Sequence, residues 1–165
     1  MKNTFADKEK AGIVLQLSEN SETLKLWEHS FRLELEFTLT NEKLCVHFSV
    51  FNTGKNPFEF TLALHTYLKV DDIDSAKISG MKGIHFIDKL RHAQSFQEDR
   101  EHITFDKETD RVYQKAPQVV HLEDKSLKVE VTKSENLSDF VVWVRDRISF
   151  NLQHFSSFNN PRILG

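Results

Sequence analysis

Phe58-Glu59-Phe60-Thr61-Leu62-Ala63-Leu64-His65-Thr66-Tyr67 is the stretch whose reading decides the fold class. Phe58, Phe60, Leu62 and Leu64 fall on one parity; Glu59, Thr61, Ala63, His65 and Tyr67 fall on the other. Successive side chains of a strand point to opposite faces, so period-2 alternation marks a strand with two unlike faces. His65 therefore sits on the more polar face, beside Thr61 and Tyr67. Imidazole titrates near neutral pH and suits proton transfer. A lone strand histidine is nonetheless more often exposed or structurally satisfied than catalytic.

The segments before this stretch follow the same period. Phe31, Leu33, Leu35, Phe37 and Leu39 alternate with Arg32, Glu34, Glu36, Thr38 and Thr40. Asn41-Glu42-Lys43 makes a tight link to a second strand, Leu44 to Phe51, and Gly54 and Pro57 punctuate the next turn. Three strands joined by short links predict an antiparallel meander, and the absence of a helical crossover between them excludes an α/β reading. Gly12 to Leu17 predicts a short strand, residues 1–10 a polar lead-in, and Ser18 to Glu22 a turn-rich link. Trp27 reads as core packing.

Downstream the apolar segments are shorter: Ala76 to Ile78, Ile84 to Ile87, His102 to Phe105, Val112 to Gln118, Val119 to Leu122, Leu127 to Val131, and Phe140 to Val144 as a last strand. Leu90 to Asp99 reads as a polar loop and Asp106 to Arg111 as a charged turn. About nine to eleven short antiparallel strands with almost no helix predict an all-β sandwich or twisted multi-sheet fold.

A chain of 165 residues predicts one domain, and 39% hydrophobic with 28% charged residues suits a soluble globular protein. A net charge of −3 gives no electrostatic case for nucleic acid or an anionic membrane. No apolar run approaches the roughly 18 residues that span a bilayer. Met1 to Lys10 has no apolar core of a secretory signal, and the single Cys45 cannot form an internal disulfide. The resulting expectation is a cytoplasmic protein.

Ala63-Leu64-His65-Thr66-Tyr67, Asp72-Ile73, Gly80-Met81-Lys82-Gly83, Asp88, Thr109-Asp110-Arg111-Val112-Tyr113 and Val141-Val142-Trp143 recur in an order that resembles the aldose 1-epimerase-like family. The likeness is to its hexose-6-phosphate mutarotases (glucose-6-phosphate 1-epimerases) and covers roughly residues 10–143. Leu68, Met81 and Phe86 replace the usual Phe, Leu and Tyr, and Glu28 stands where a proline is usual.

The resemblance implies a galactose-mutarotase-like β-supersandwich, incomplete in this chain, with residues 1–143 as the sandwich portion and 144–165 as an atypical tail. It implies an isomerase that interconverts the α and β anomers of glucose 6-phosphate or a related aldohexose 6-phosphate. His65 matches the histidine that protonates the ring oxygen. Asp110 matches the aspartate that holds sugar hydroxyls; from the residues alone, Asp110 reads as a loop carboxylate bonded to nearby backbone N–H groups. Mutarotation needs neither metal nor redox cofactor, because general acid–base catalysis is sufficient. Arg111 could meet a sugar phosphate, but a surface ion pair is the better reading. His85 reads as structural, and Asp88 as shaping a turn.

The chain also departs from the family. An upstream block ending in H-G-F-A-R, which supplies a second histidine and a phosphate-binding arginine, has no counterpart, nor does the downstream glutamate that acts as base. Glu130 and Glu135 match no motif that would replace it. Phe150, Phe155 and Phe158 follow no clear period. The alternative reading is a non-catalytic carbohydrate-binding sandwich or a truncated form. Unpaired strand edges and an apolar face lacking cover lead to the expectation of weak stability, dye binding or self-association through open sheet edges.

Overall fold

The structure is a computed structural model and describes residues 2–146 and 149–158. The chain divides into two compact units, one of the described residues up to Glu59 and one of Phe60–Phe158.

The first unit is a four-stranded antiparallel sheet in the order β1-β2-β3-β4, with β1 at Lys2–Ala6, β2 at Lys10–Ser18, β3 at Phe31–Thr40 and β4 at Leu44–Asn52. Its register aligns Leu15, Leu35 and Phe48 across three strands, and Leu17, Leu33 and Val50 beside them. Cross-strand partners share a face, so the sequence alternation of β3 propagates to its neighbours. Residues read as a polar lead-in instead form β1, because an edge strand gains its ladder hydrogen bonds from β2 whatever its own polarity.

The link after β2 is also more regular than expected. A short helix, α1 (Ser21–Leu26), begins at Asn20, whose side chain accepts hydrogen bonds from the N–H groups of Glu22 (2.9 Å) and Thr23 (3.0 Å). Thr23 Oγ1 accepts in return from the Asn20 N–H at 2.8 Å. This reciprocal capping box satisfies the donors that a helix start leaves open. Trp27, just past the helix, packs against Phe31 and Phe58 with ring centroids 5.3 Å and 4.7 Å away, in keeping with a core role.

Gly12 is the tightest point of this sheet. A Cβ added there would lie 2.3 Å from the Phe5 ring and 2.6 Å from the Phe37 carbonyl oxygen. Gly12→Ala is expected to cost about 1–3 kcal/mol through overpacking, more than the ~0.4–1 kcal/mol gained by stiffening the unfolded chain. Thermal denaturation of Gly12→Ala alone and with Phe5→Ala checks this. Partial rescue is expected, because trimming Phe5 leaves the clash with the Phe37 carbonyl in place.

The second unit holds ten strands: β5 (Phe60–Tyr67), β6 (Lys77–Ser79), β7 (His85–Asp88), β8 (Gln94–Gln97), β9 (His102–Thr104), β10 (Thr109–Tyr113), β11 (Val119–Glu123), β12 (Lys128–Thr132), β13 (Phe140–Asp146) and β14 (Ser149–Phe158). They form a six-stranded sheet, β5-β14-β13-β10-β7-β8, and a four-stranded sheet, β12-β11-β6-β9. Ile78, Ile103, Val120 and Leu122 of the smaller sheet share one buried cluster with Phe86, Tyr113, Phe140, Val142 and Val144 of the larger. Two inner faces interdigitating over an apolar core make a sandwich.

Three sequence expectations are corrected. β5 does not continue a meander from β4; the segment from Thr53 to Glu59 is too long for a tight hairpin, and β5 pairs with β14 instead. The stretch from Leu90 to Asp99 is not an open loop, since it contains β8, paired with β7. Phe140 to Val144 is not the last strand, because β14 inserts between β13 and β5. An inserted strand is held by backbone hydrogen bonds from both neighbours and needs no regular side-chain period. Residues 147–148 and 159–165 of the sequence's C-terminal stretch lie outside the described residues.

Candidate functional site

His65 lies in β5 and is exposed; Asp110 lies in β10 and is half-buried. A continuous register joins them across the larger sheet. Tyr67 pairs with Asn151, Asn151 with Trp143, and Trp143 with Asp110. Paired residues share a face, and residues two apart on one strand share it too. His65, Tyr67, Trp143 and Asp110 are therefore on one face. Leu62, Leu64, Val142, Val144 and Tyr113 are on the other, and the last three belong to the buried cluster. The expectation that His65 points away from Leu62 and Leu64 agrees with this placement. Three inter-strand steps separate β5 from β10, about 14 Å between backbones.

Asp110 stands inside β10 rather than in a loop, because the charged turn expected over 106–111 ends where the strand begins at Thr109. Burial pushes its carboxyl above the usual aspartate range; the Lys89 charge opposes this, while Asp88 and Glu108 reinforce it. A half-buried carboxylate can accept hydrogen bonds from sugar hydroxyls.

The opposite side of the same strands carries a charged network. Glu98, with a side chain only 2% exposed, accepts a hydrogen bond from the Tyr113 hydroxyl at 2.8 Å and from Arg100 Nε and Nη2 at 2.7 Å and 2.8 Å. Arg111 reaches Glu98 at 3.7 Å and Asp88 at 3.4 Å, and its guanidinium lies 4.7 Å from the centre of the Phe86 ring. Burial raises the Glu98 carboxyl, but the hydrogen bonds from Arg100 and Tyr113 and the Arg100 charge together outweigh it and hold the group below its usual range. Burial, then the neighbouring Glu98 charge, push the Tyr113 phenol far up.

Arg111 is thus not the surface ion pair its sequence context suggests. Its carboxylate partners are buried and its own side chain is 18% exposed. Asp88 does shape a turn: its Oδ1 accepts from the Leu90 N–H at 3.1 Å and caps the 3-10 turn Lys89–Arg91. Sequence reasoning missed Glu98, which falls in the stretch read as polar loop. Arg100 two positions on was the available signal, but a Glu-x-Arg pair is far commoner on surfaces.

Among the described residues no group of three or more His, Cys, Asp and Glu side chains is placed to hold a metal ion, and no helix is long and apolar enough to cross a membrane. A pocket of about 270 Å³ near the start of β10, lined in part by Phe105, Glu108 and Val144, includes neither His65 nor Asp110.

Comparison with known proteins bears on the family and the fold. The profile of the family described as Aldose 1-epimerase matches residues 3–160. A protein of Cenchrus ciliaris, provisionally named a glucose-6-phosphate 1-epimerase, is 35% identical over 138 residues, which is 81% of this chain and 42% of the relative. The chain thus spans less than half the length of that relative. Among solved structures, a provisionally named mutarotase from Salmonella typhimurium matches 96% of this chain and 57% of its own, with a TM-score of 0.80 at 22% identity. A galactose mutarotase-like protein from Clostridium acetobutylicum matches 98% of this chain and 57% of its own, with a TM-score of 0.74 at 15% identity. These likenesses show the fold, a galactose-mutarotase-like arrangement of sheets.

Proposed function

The chain belongs to the aldose 1-epimerase family, and from that premise we propose that it interconverts the α and β anomers of a hexose 6-phosphate by general acid–base catalysis. The reaction removes the proton of the anomeric hydroxyl and protonates the ring oxygen; the ring opens, the C1–C2 bond turns, and the ring closes on the other face. In this reading His65 gives the proton to the ring oxygen and Asp110 accepts hydrogen bonds from sugar hydroxyls. The observation that carries it is the unbroken register from β5 to β10, which sets His65 and Asp110 on one face although 45 positions separate them in sequence. The provisional name of the Cenchrus ciliaris relative supports glucose 6-phosphate as the substrate.

A second reading is sugar binding without catalysis. It is favoured by Asp110, a half-buried carboxylate that can accept hydrogen bonds from sugar hydroxyls. Saturation-transfer NMR of glucose 6-phosphate separates the two. Anomer exchange faster than in buffer supports the mutarotase; exchange at the buffer rate with saturable binding supports the binding module. Neither exchange nor binding overturns both.

Asp110→Ala is expected to weaken sugar binding about 10- to 100-fold, the ~1.5–3 kcal/mol typical of hydrogen bonds to a charged group. A titration followed by NMR checks it. Because burial raises the Asp110 carboxyl, protonation should weaken binding at a higher pH than for an ordinary aspartate. Unchanged affinity in Asp110→Ala would contradict this role.

A further inference from the structure

The sheet of the first unit has two faces of unlike composition. Successive rows run Leu15–Leu35–Phe48 and Ile13–Phe37–Val46 across β2, β3 and β4, and paired residues share a face. These three strands contribute no charged residue to that face; Arg32, Glu34 and Glu36 of β3 and His47 of β4 fall on the other. The polar groups of the charged face are matched within the sheet. Arg32 Nε lies 3.2 Å from Glu34, its guanidinium lies 4.1 Å from the centre of the Phe51 ring, and Glu36 accepts from Thr38 Oγ1 at 2.9 Å.

The apolar face is covered at one point. Phe31 is 4% exposed and packs against Trp27. Elsewhere the cover fails: Leu15 is 40% exposed, Leu17 47%, Leu39 57%, Leu44 60% and Val46 40%. Leu35, Phe37 and Phe48 between them are half-buried. A single exposed leucine is ordinary, but a contiguous apolar patch rimmed by polar residues marks an interaction surface.

Area and composition select the occupant. The strands β2, β3 and β4 are nine, ten and nine residues long. At about 3.3 Å per residue and about 4.8 Å between strands, with β1 beside them, they present roughly 500 Å² in plan, and projecting side chains offer more accessible area than the plan. Two such faces stacked together bury at least about 1,000 Å², the level that a specific interface must clear. Transient partners meet surfaces about as apolar as the rest of a protein, whereas homodimer interfaces are distinctly more apolar. A two-fold pair also sets one patch against itself, so a face to which β2, β3 and β4 bring no charge meets its like without repulsion or a buried unpaired ion.

We propose that two copies of the chain associate through this face, sheet on sheet about 10 Å apart, as a two-fold dimer. This differs from pairing through open strand edges, which would join β4 to β4 by backbone hydrogen bonds. Sedimentation of the full chain at micromolar concentration tests it, with Leu44→Glu, Leu17→Glu and Cys45→Glu. Leu44 and Cys45 are neighbours on β4, are both exposed, and fall on opposite faces. The native chain is expected as a dimer. Leu44→Glu and Leu17→Glu are each expected to weaken it about 30-fold or more, the loss read at a well-packed interface position, and Cys45→Glu to leave it unchanged. Far-UV circular dichroism identifies the folded variants, and Leu17→Glu carries the test if Leu44→Glu does not fold. A native chain that stays monomeric overturns the proposal. So does a dimer that both Leu44→Glu and Leu17→Glu leave intact. Cys45→Glu that weakens association as much as Leu44→Glu also overturns it, because that is the result for edge pairing.

Discussion

Glu98→Ala is expected to lower stability by about 3 kcal/mol, the low end of the range for removing one partner of a buried ion pair. The low end applies because the Arg100 side chain is 39% exposed, so water recovers part of what it loses. The remaining cost falls on Tyr113 and Arg111. The Tyr113 hydroxyl is buried and has Glu98 as its acceptor, and Arg111 loses one of its two carboxylate partners while keeping Asp88. For a chain of this size such a loss corresponds to a fall in Tm of about 6–12 °C. The pH dependence has a definite sign. The Glu98 carboxyl is held below its ordinary value of 4.5, so the folded state binds fewer protons there than the unfolded chain. Its stabilisation is present above that ordinary value and is lost as pH falls through the lower folded one. Glu98→Ala should therefore flatten the acid limb of a stability–pH profile. A variant with the native Tm and the native acid limb would contradict the network.

How much of this was legible in the sequence differs by element. β3 and β4 were readable because apolar and polar residues alternate along them, and the polar three-residue link between them admits little but a tight turn. The existence of β5 and the side of it that carries His65 were readable for the same reason. Its partner was not. Alternation fixes which way a side chain points but not which strand lies beside it, and the residues that pair with β5 lie 84 to 98 positions away. β1 and β14 were hidden because strands held by backbone pairing can carry irregular side chains. α1 was missed although Asn20 and Thr23 sit at the spacing of a capping box, because so short a segment has no periodic apolar face to flag it.

The candidate face divides the same way. His65 and Asp110 were singled out by family motifs, whereas their common face becomes visible only when β14 joins β5 to β13. Glu98 looked like loop polarity because its burial depends on Tyr113 and Arg111 from another strand.

His65→Ala carries the largest expected effect on function. A positioned general acid contributes typically 10²- to 10⁴-fold, so its removal should slow anomer exchange by about that factor. His65 is exposed, so the change in stability is expected to stay near the ~1 kcal/mol typical of point substitutions. The variant should therefore fold normally and still bind sugar through Asp110, which separates loss of the proton donor from loss of the site. The direct measurement is saturation transfer between the anomers of glucose 6-phosphate in the presence of the native chain and of His65→Ala at matched concentration. The account predicts exchange above the buffer rate for the native chain and a fall of at least 100-fold in the protein-dependent part for the variant. Protein-dependent exchange that is equal in the two chains would contradict it.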